Sequence, residues 1–153
     1  MQTAKQLSVF LVNKPGRLAA MMTALSKEKV SFRALVVMDS GERGTVRFVP
    51  EDLDTATEVL QGMNVHYDVA DVLLIEIPSQ AGAFRKICEK LAAEHLNIDY
   101  AYCSFTPGKG SKTGVLAVVR VNDLVKAQRV LGENGTAVSR TPRRPGRRPA
   151  YAR

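Results

Sequence analysis

Apolar positions along the chain alternate between short continuous blocks and recurrences every three to four residues. Residues 7–12, LSVFLV, form one such block and end in Asn13-Lys14-Pro15-Gly16, where Pro fixes φ and Gly relaxes the backbone, so a strand entering a turn is predicted. Leu18, Met21, Met22 and Leu25 follow at i, i+3, i+4 and i+7, the spacing of one helical face, and predict a helix running to about Lys29. Phe32 to Met38 (FRALVVM) and Thr45 to Val49 (TVRFV) then read as strands joined through the Gly-containing stretch 39–44. Asp52 is a good N-cap for a second helix whose Leu53, Ala56, Leu60 and Met63 share a face, and Val65 to Val69 closes the unit as a fourth strand. The predicted order is βαββαβ.

The same pattern restarts at Asp71. A shift of 66 residues lays Leu7 on Leu73, Gly16 on Gly82, Leu18 on Phe84, Met21 on Ile87, Met22 on Cys88, Leu25 on Leu91 and Glu28 on Glu94. A shift of 71 lays Asp52, Leu53, Ala56, Val59 and Leu60 on five identical residues, Asp123, Leu124, Ala127, Val130 and Leu131. The five extra residues fall in the longer hairpin loop Thr106 to Thr113, where insertion costs little because loop-closure entropy grows slowly with length. The chain is a tandem duplication. Its repeat is too long for a solenoid and matches one split-βαβ unit, so the predicted fold is α+β: two ferredoxin-like βαββαβ units, each an antiparallel sheet with its helices on one face. The boundaries expected are 1–70 and 71–138, with 139–153 as a tail. Units this small bury modest cores, so the two should dock together and the whole chain should dimerise further.

Charge changes the picture only at the end of the chain. The formal net charge is +7, and residues 139–153 hold six arginines and no acid, which leaves +1 for residues 1–138. A surface-wide nucleic-acid footprint is thereby excluded. The tail, rich in Pro and Arg, cannot build a core and is expected to be disordered; with Tyr151 as its single aromatic it reads better as a solvated extension than as a nucleic-acid arm. Cys88 and Cys103 have neither disulfide-scaffold nor metal-ligand spacing, no apolar stretch is long enough to span a bilayer, and Met1 to Gln6 is polar, so a cytoplasmic protein is expected. Gly108 to Gly114 (GKGSKTG) fits no phosphate-loop pattern and precedes a strand rather than a helix. His66 and His95 are isolated in sequence, His95 at a helix end that suits its charge. No catalytic, cofactor or metal signature stands out, and a non-enzyme is expected.

Asn13-Lys14-Pro15-Gly16-Arg17-Leu18, set between an apolar strand and an amphipathic helix at the head of a βαββαβ unit, resembles the ligand loop of the ACT-domain family. The resemblance covers residues 5 to about 138 as two copies. It implies a regulatory module that binds an amino acid at a domain interface, with one domain's first loop and a neighbour's second strand around the ligand. It also implies the alternative of a regulatory subunit docking on a biosynthetic enzyme, such as an acetolactate-synthase-like one.

The loop's chemistry supports such a role. A helix N-terminus offers unpaired N–H groups and about half a positive charge, which attract a carboxylate. Gly16 has no side chain to keep a ligand from those amides. The amides of Gly16, Arg17 and Leu18 are therefore expected to hold a carboxylate, with Asn13 near the amino group and Lys14 and Pro15 shaping the approach. The second loop, Ser79-Gln80-Ala81-Gly82-Ala83-Phe84, keeps the Gly but lacks the Asn and Pro, which leaves open a different ligand or none. The second strand of the second copy is Asn97 to Phe105. Its alternation places Ile98, Tyr100 and Tyr102 on one face and Asn97, Asp99 and Cys103 on the other, either as a pocket wall containing Asp99 and Tyr100 or as a core face opposite a solvated one.

Overall fold

The first strand begins well before its apolar block. In the computed structural model, which describes residues 1–104 and 114–132, β1 spans Gln2–Val12. Its polar first half is held in place by pairing, Gln2 opposite Leu74 and Lys5 opposite Asp71. Long-range backbone bonds, rather than local apolarity, set where this strand starts.

The remaining elements follow the expected order: α1 Arg17–Lys27, β2 Phe32–Ser40, β3 Arg43–Pro50, α2 Leu53–Gly62, β4 His66–Pro78, α3 Ala83–Ala93, β5 Ile98–Ser104, β6 Gly114–Val121 and α4 Leu124–Gly132. The stretches 65–69 and from 71 onward, expected as separate strands, are one continuous strand of 13 residues that passes through the 70/71 boundary. β4 pairs with β1 along 66–74 and with β6 along 73–78, so both repeats contribute to one antiparallel sheet of order β2-β3-β1-β4-β6-β5. The loop 106–113, the end of the second repeat and the basic tail lie outside the described residues.

All four helices lie on one face of this sheet. Leu7, Val9 and Leu11 of β1 pack with Met21 and Leu25 of α1 and Ala56 and Leu60 of α2, while Leu73, Ile75 and Ile77 of β4 pack with Leu91 of α3 and Ala127 of α4. Strand alternation sends Val72 and Leu74 to the other face, where they join Ala34, Val49, Leu116 and Val118 in a third cluster. That helix-free face is not left in solvent. The outermost strands β2 and β5 touch, although a flat six-stranded sheet would hold them about 24 Å apart, so the sheet rolls its helix-free face inward on itself.

Local signals that carried the sequence argument recur in both repeats. Asp52 caps α2 by accepting from the Thr55 amide at 3.1 Å and hydroxyl at 2.6 Å, bonds that hold its carboxyl below the usual range; Asp123 accepts from the Lys126 amide at 3.0 Å. Helices α1 and α3 end alike: Lys29 and His95 both have φ of 56°, the amide of the next residue reaching back to Leu25 and to Leu91. Non-glycine residues there carry a left-handed penalty of about 1–2 kcal/mol, partly offset by glycine's extra entropy of about 0.5–1 kcal/mol. Lys29→Gly and His95→Gly are each expected to raise stability by about 0.5–1 kcal/mol, read as a higher midpoint in thermal melts. A lower midpoint would contradict the assigned backbone.

One expectation about β5 is corrected. A bulge lies between Ile98 and Tyr100, and the equivalent bulge lies between Phe32 and Ala34 in β2. An inserted residue inverts the alternation beyond it. Ile98 consequently packs with the helix-side cluster, whereas Tyr102 joins the inner one and Tyr100 turns inward with it. Ile98 does not share a face with the two tyrosines.

Candidate functional site

The first loop is built as a cradle open to solvent. Gly16 is the N-cap of α1 with φ of 88°, a left-handed conformation that favours glycine, and no atom would lie within 4 Å of a Cβ placed there. The turn closes through Lys14 N–H to Val12 O at 2.8 Å and Arg17 N–H to Lys14 O at 3.3 Å. The Arg17 amide is therefore engaged, while those of Gly16 and Leu18 have no acceptor among the described residues. Asn13 donates its backbone N–H to Glu42 O at 3.1 Å and its Nδ2 to Gly41 O at 3.4 Å, which ties the loop to the β2–β3 hairpin and leaves its Oδ1 available. Asn13, Lys14, Pro15 and Arg17 are exposed and Leu18 is half-buried against the first core.

The second loop repeats this backbone although its sequence differs. Gln80 N–H donates to Pro78 O at 2.7 Å, Ala83 N–H to Gln80 O at 3.2 Å, and Gly82 has φ of 81°. The glycine alone is enough to preserve the turn. Its surroundings are not the same: Ser79, Gln80 and Ala81 are exposed, Phe84 stands 40% exposed while Ala83 packs on the core, and the Arg85 Nε lies 3.6 Å from where a Cβ on Gly82 would be. Arg85, which also pairs with Glu89 at 3.0 Å, escaped the sequence argument because a helix-face Arg has no distinguishing spacing.

The register separates the loops from the strands expected to face them. Tyr102 is level with Val118, Val118 with Leu74 and Leu74 with Gln2, so β5 lies beside the start of β1, whereas the first loop follows its end. From Gln6 to Asn13 is seven residues, about 23 Å of strand. Within one chain the first loop therefore does not come together with Asp99 or Tyr100. Asp99 sits at the bulge and accepts from Asn97 Nδ2 at 3.0 Å.

Tyr100 and Tyr102 instead meet the first repeat inside the roll. Gln6, fully buried, donates its Nε2 to the Tyr100 hydroxyl at 2.5 Å, and the Tyr102 hydroxyl donates to Gln6 Oε1 at 2.8 Å. Arg47 lies over the Tyr100 ring with Cζ 4.2 Å from its centroid. The only sequence signal for Gln6 and Arg47 was a polar side chain on strand faces that later prove to be covered.

Burial, reinforced by neighbouring Tyr100, pushes the Tyr102 hydroxyl well above its ordinary range, while Arg47 pulls the other way. The unfolded chain releases this proton near pH 10, whereas the folded chain retains it to higher pH, so the stability it contributes is intact below about pH 10 and declines above it. Urea unfolding between pH 9 and 11.5 is expected to show a steeper alkaline loss in the wild type than in Tyr102→Phe. Equal slopes would contradict the burial of this hydroxyl.

Other features carry less. A shallow groove of about 460 Å³ lined by Met22, Ser26, Lys29, Val30, Ser31 and Phe32 lies at the far end of α1 from the loop. Cys88 and Cys103 are free, no group of side chains among the described residues could hold a metal, and no described helix is long and apolar enough to cross a membrane.

Residues 2–139 match the model of the ACT domain pair. The chain belongs to that family. Among solved structures, a protein from Bacteroides thetaiotaomicron is 32% identical, covering 87% of this chain and 89% of its own with a TM-score of 0.79. The regulatory subunit of aspartate kinase from Thermus thermophilus shares the fold at 14% identity, covering 87% of this chain and 97% of its own with a TM-score of 0.58. The aspartokinase alpha and beta subunits do so at 19% identity, covering 87% and 96% with a TM-score of 0.53. No curated protein matches this ACT pair.

Proposed function

We propose that this ACT pair is a non-catalytic, cytoplasmic regulatory protein that binds a small amino acid at its first loop and converts occupancy into a change of assembly. The observation that carries the reading is the open left-handed turn at Gly16, where two amides at a helix N-terminus face solvent beside a free Asn13 oxygen. A carboxylate fits the amides and an ammonium fits the Asn13 oxygen. The second loop, with the same turn and Arg85 beside it, is a candidate for a ligand of different shape.

The loop is exposed and far from the other repeat's second strand, so the neighbour that would complete the site is a second copy of the chain. A ligand bridging two copies favours the docked form by the difference between its affinities for the docked and separated states. A second reading, a subunit that docks on an amino-acid biosynthetic enzyme, draws on the regulatory subunit of aspartate kinase from Thermus thermophilus, whose fold covers 87% of this chain.

Thermal melts of the purified chain against each of the twenty amino acids test the first reading. A ligand present at a hundred times its Kd adds about 2.7 kcal/mol, a rise of about 5–10 °C for a chain of this size. One amino acid or a closely related group is expected to give that rise. No rise with any of them, together with co-purification of an enzyme subunit, would favour docking instead.

A further inference from the structure

Arg47 has a cation's needs and no anion among the described residues. The ion pairs among the described residues are Lys5–Asp71, Arg85–Glu89 and Lys126–Glu94, none of which includes it. Among the described residues its buried Nε has no hydrogen-bond partner, and its Nη1 has only the Met38 sulfur, a weak acceptor, at 3.6 Å. Buried donors in folded proteins nearly always find an acceptor, so an orphan on a charged group calls for explanation. The guanidinium is also held in place, laid on the Tyr100 ring by a contact that orients its planar fork.

The inner face beside Arg47 is only partly covered. Ser8 of β1 is directly opposite Arg47 on one side and Asp68 on the other, and Phe10 is opposite His66, so these side chains share the inner face of the sheet. Asp68 is two strands from Arg47, about 10 Å between backbones, and makes no ion pair with it. Ser8 is buried, Phe10 is half-buried and stacks on His66 at 5.5 Å, and His66 and Asp68 are exposed. Further along, Val12 of the same face is 49% exposed. Because β5 lies level with the start of β1, the rows of Phe10 and Val12 extend past it, and the roll opens there as a mouth.

We infer that this mouth is a binding site for a small carboxylate, held by the Arg47 guanidinium above a floor of Ser8 and Phe10. A single cation with a planar fork matches the charge and the two oxygens of a carboxylate. The site is separate from the Gly16 loop, since the two lie at different levels of the strands, and it stands whether or not that loop binds an amino acid. Occupancy there would also touch the contact between repeats, because Arg47 belongs to the first and Tyr100 to the second.

The test is nuclear magnetic resonance of the ¹⁵N-labelled full chain, read at the Arg Nε–Hε signals, with the Arg47 signal assigned by its loss in Arg47→Lys. Sodium acetate and glycine serve as probes, with sodium chloride at equal ionic strength as the control. The expected result is a saturable movement of the Arg47 signal with both probes, absent with chloride and retained in Gly16→Val. Tyrosine emission supplies a second readout, unmasked because the chain has no Trp; acetate is expected to change it with an affinity at least tenfold weaker in Arg47→Lys. An unmoved Arg47 signal, a movement no different from that with chloride, unchanged affinity in Arg47→Lys, or loss of the movement in Gly16→Val would overturn the assignment.

Discussion

Gln6→Ala is expected to lower the unfolding free energy by about 2–4 kcal/mol, the largest stability effect of any polar substitution in the inner face. Gln6 is fully buried and bonded to two hydroxyls from the other repeat. Its loss removes these two hydrogen bonds and the longer one from Nε2 to Ser8 Oγ at 3.5 Å, leaves two tyrosine hydroxyls with fewer partners and opens a small cavity. An unsatisfied buried group costs about 1–3 kcal/mol, and incomplete relaxation around a cavity adds to that. Denaturant melts should show a lower midpoint with little change in slope.

Replacing all three partners separates this polar effect from simple loss of volume. In Gln6→Leu, Tyr100→Phe, Tyr102→Phe, the Gln6 amide and both tyrosine hydroxyls are removed together, leaving only the buried Ser8 hydroxyl without its long bond from Gln6, so much of the stability should return. If the triple variant were instead as unstable as the three single losses added together, the bridge would not be acting as one unit. Tyr100→Phe alone also leaves an aromatic ring under Arg47, which keeps the stacking contact apart from the hydrogen bond.

Gly16→Val carries the largest expected effect on binding, a loss of amino-acid affinity of at least a hundredfold. Two consequences of one substitution act together. The open space within 4 Å of the Cβ position means the added Cβ meets no atom beyond its chain neighbours, so the new side chain enters the volume a ligand would use. The φ of 88° also strains any side chain, above all a β-branched one, at about 1–2 kcal/mol. Calorimetric titration with the amino acid that gives the largest thermal rise reads the first effect, and a ligand-free melt reads the second. Asn13→Ala should weaken binding by about tenfold while leaving the turn, because it removes one polar partner from the ligand. Affinity unchanged in Gly16→Val would place the amino acid elsewhere.

Much of this fold was legible because the duplication supplies its own internal comparison. Asp52 and Asp123 both cap helices, Gly16 and Gly82 both adopt left-handed turns, and Lys29 and His95 end their helices in the same way, as the shifts of 66 and 71 residues imply. Such features depend on a few neighbouring residues, and local chemistry decides them. The bulges before Ala34 and Tyr100 were not legible. Ile98, Tyr100 and Tyr102 alternate cleanly in sequence, and an inserted residue is detected only by the partner strand it fails to pair with.

The backbone features of the candidate site were legible in sequence, and their arrangement in space was not. Sequence located the glycine turns and the tyrosine strand, since a Gly before a helix and alternating aromatics are short-range patterns. It could not bring them to their true distances, because the fusion of two strands into β4 and the rolling of the sheet depend on pairing across the whole chain. Gln6 and Arg47 were missed for the same reason. Each stands in a strand as an ordinary polar residue, and only the closing of one helix-free face on the other turns it into a buried contact between repeats.

The central claim is that a small zwitterion docks its carboxylate on the main chain at the start of α1. A ¹H–¹⁵N correlation titration of the full chain with the best-stabilising amino acid reads those amides one by one. The account predicts saturable downfield shifts of the Gly16 and Leu18 amides at the stoichiometry of binding, with the already bonded Arg17 amide moving less. Saturation of signals elsewhere while Gly16 and Leu18 stay still would contradict it.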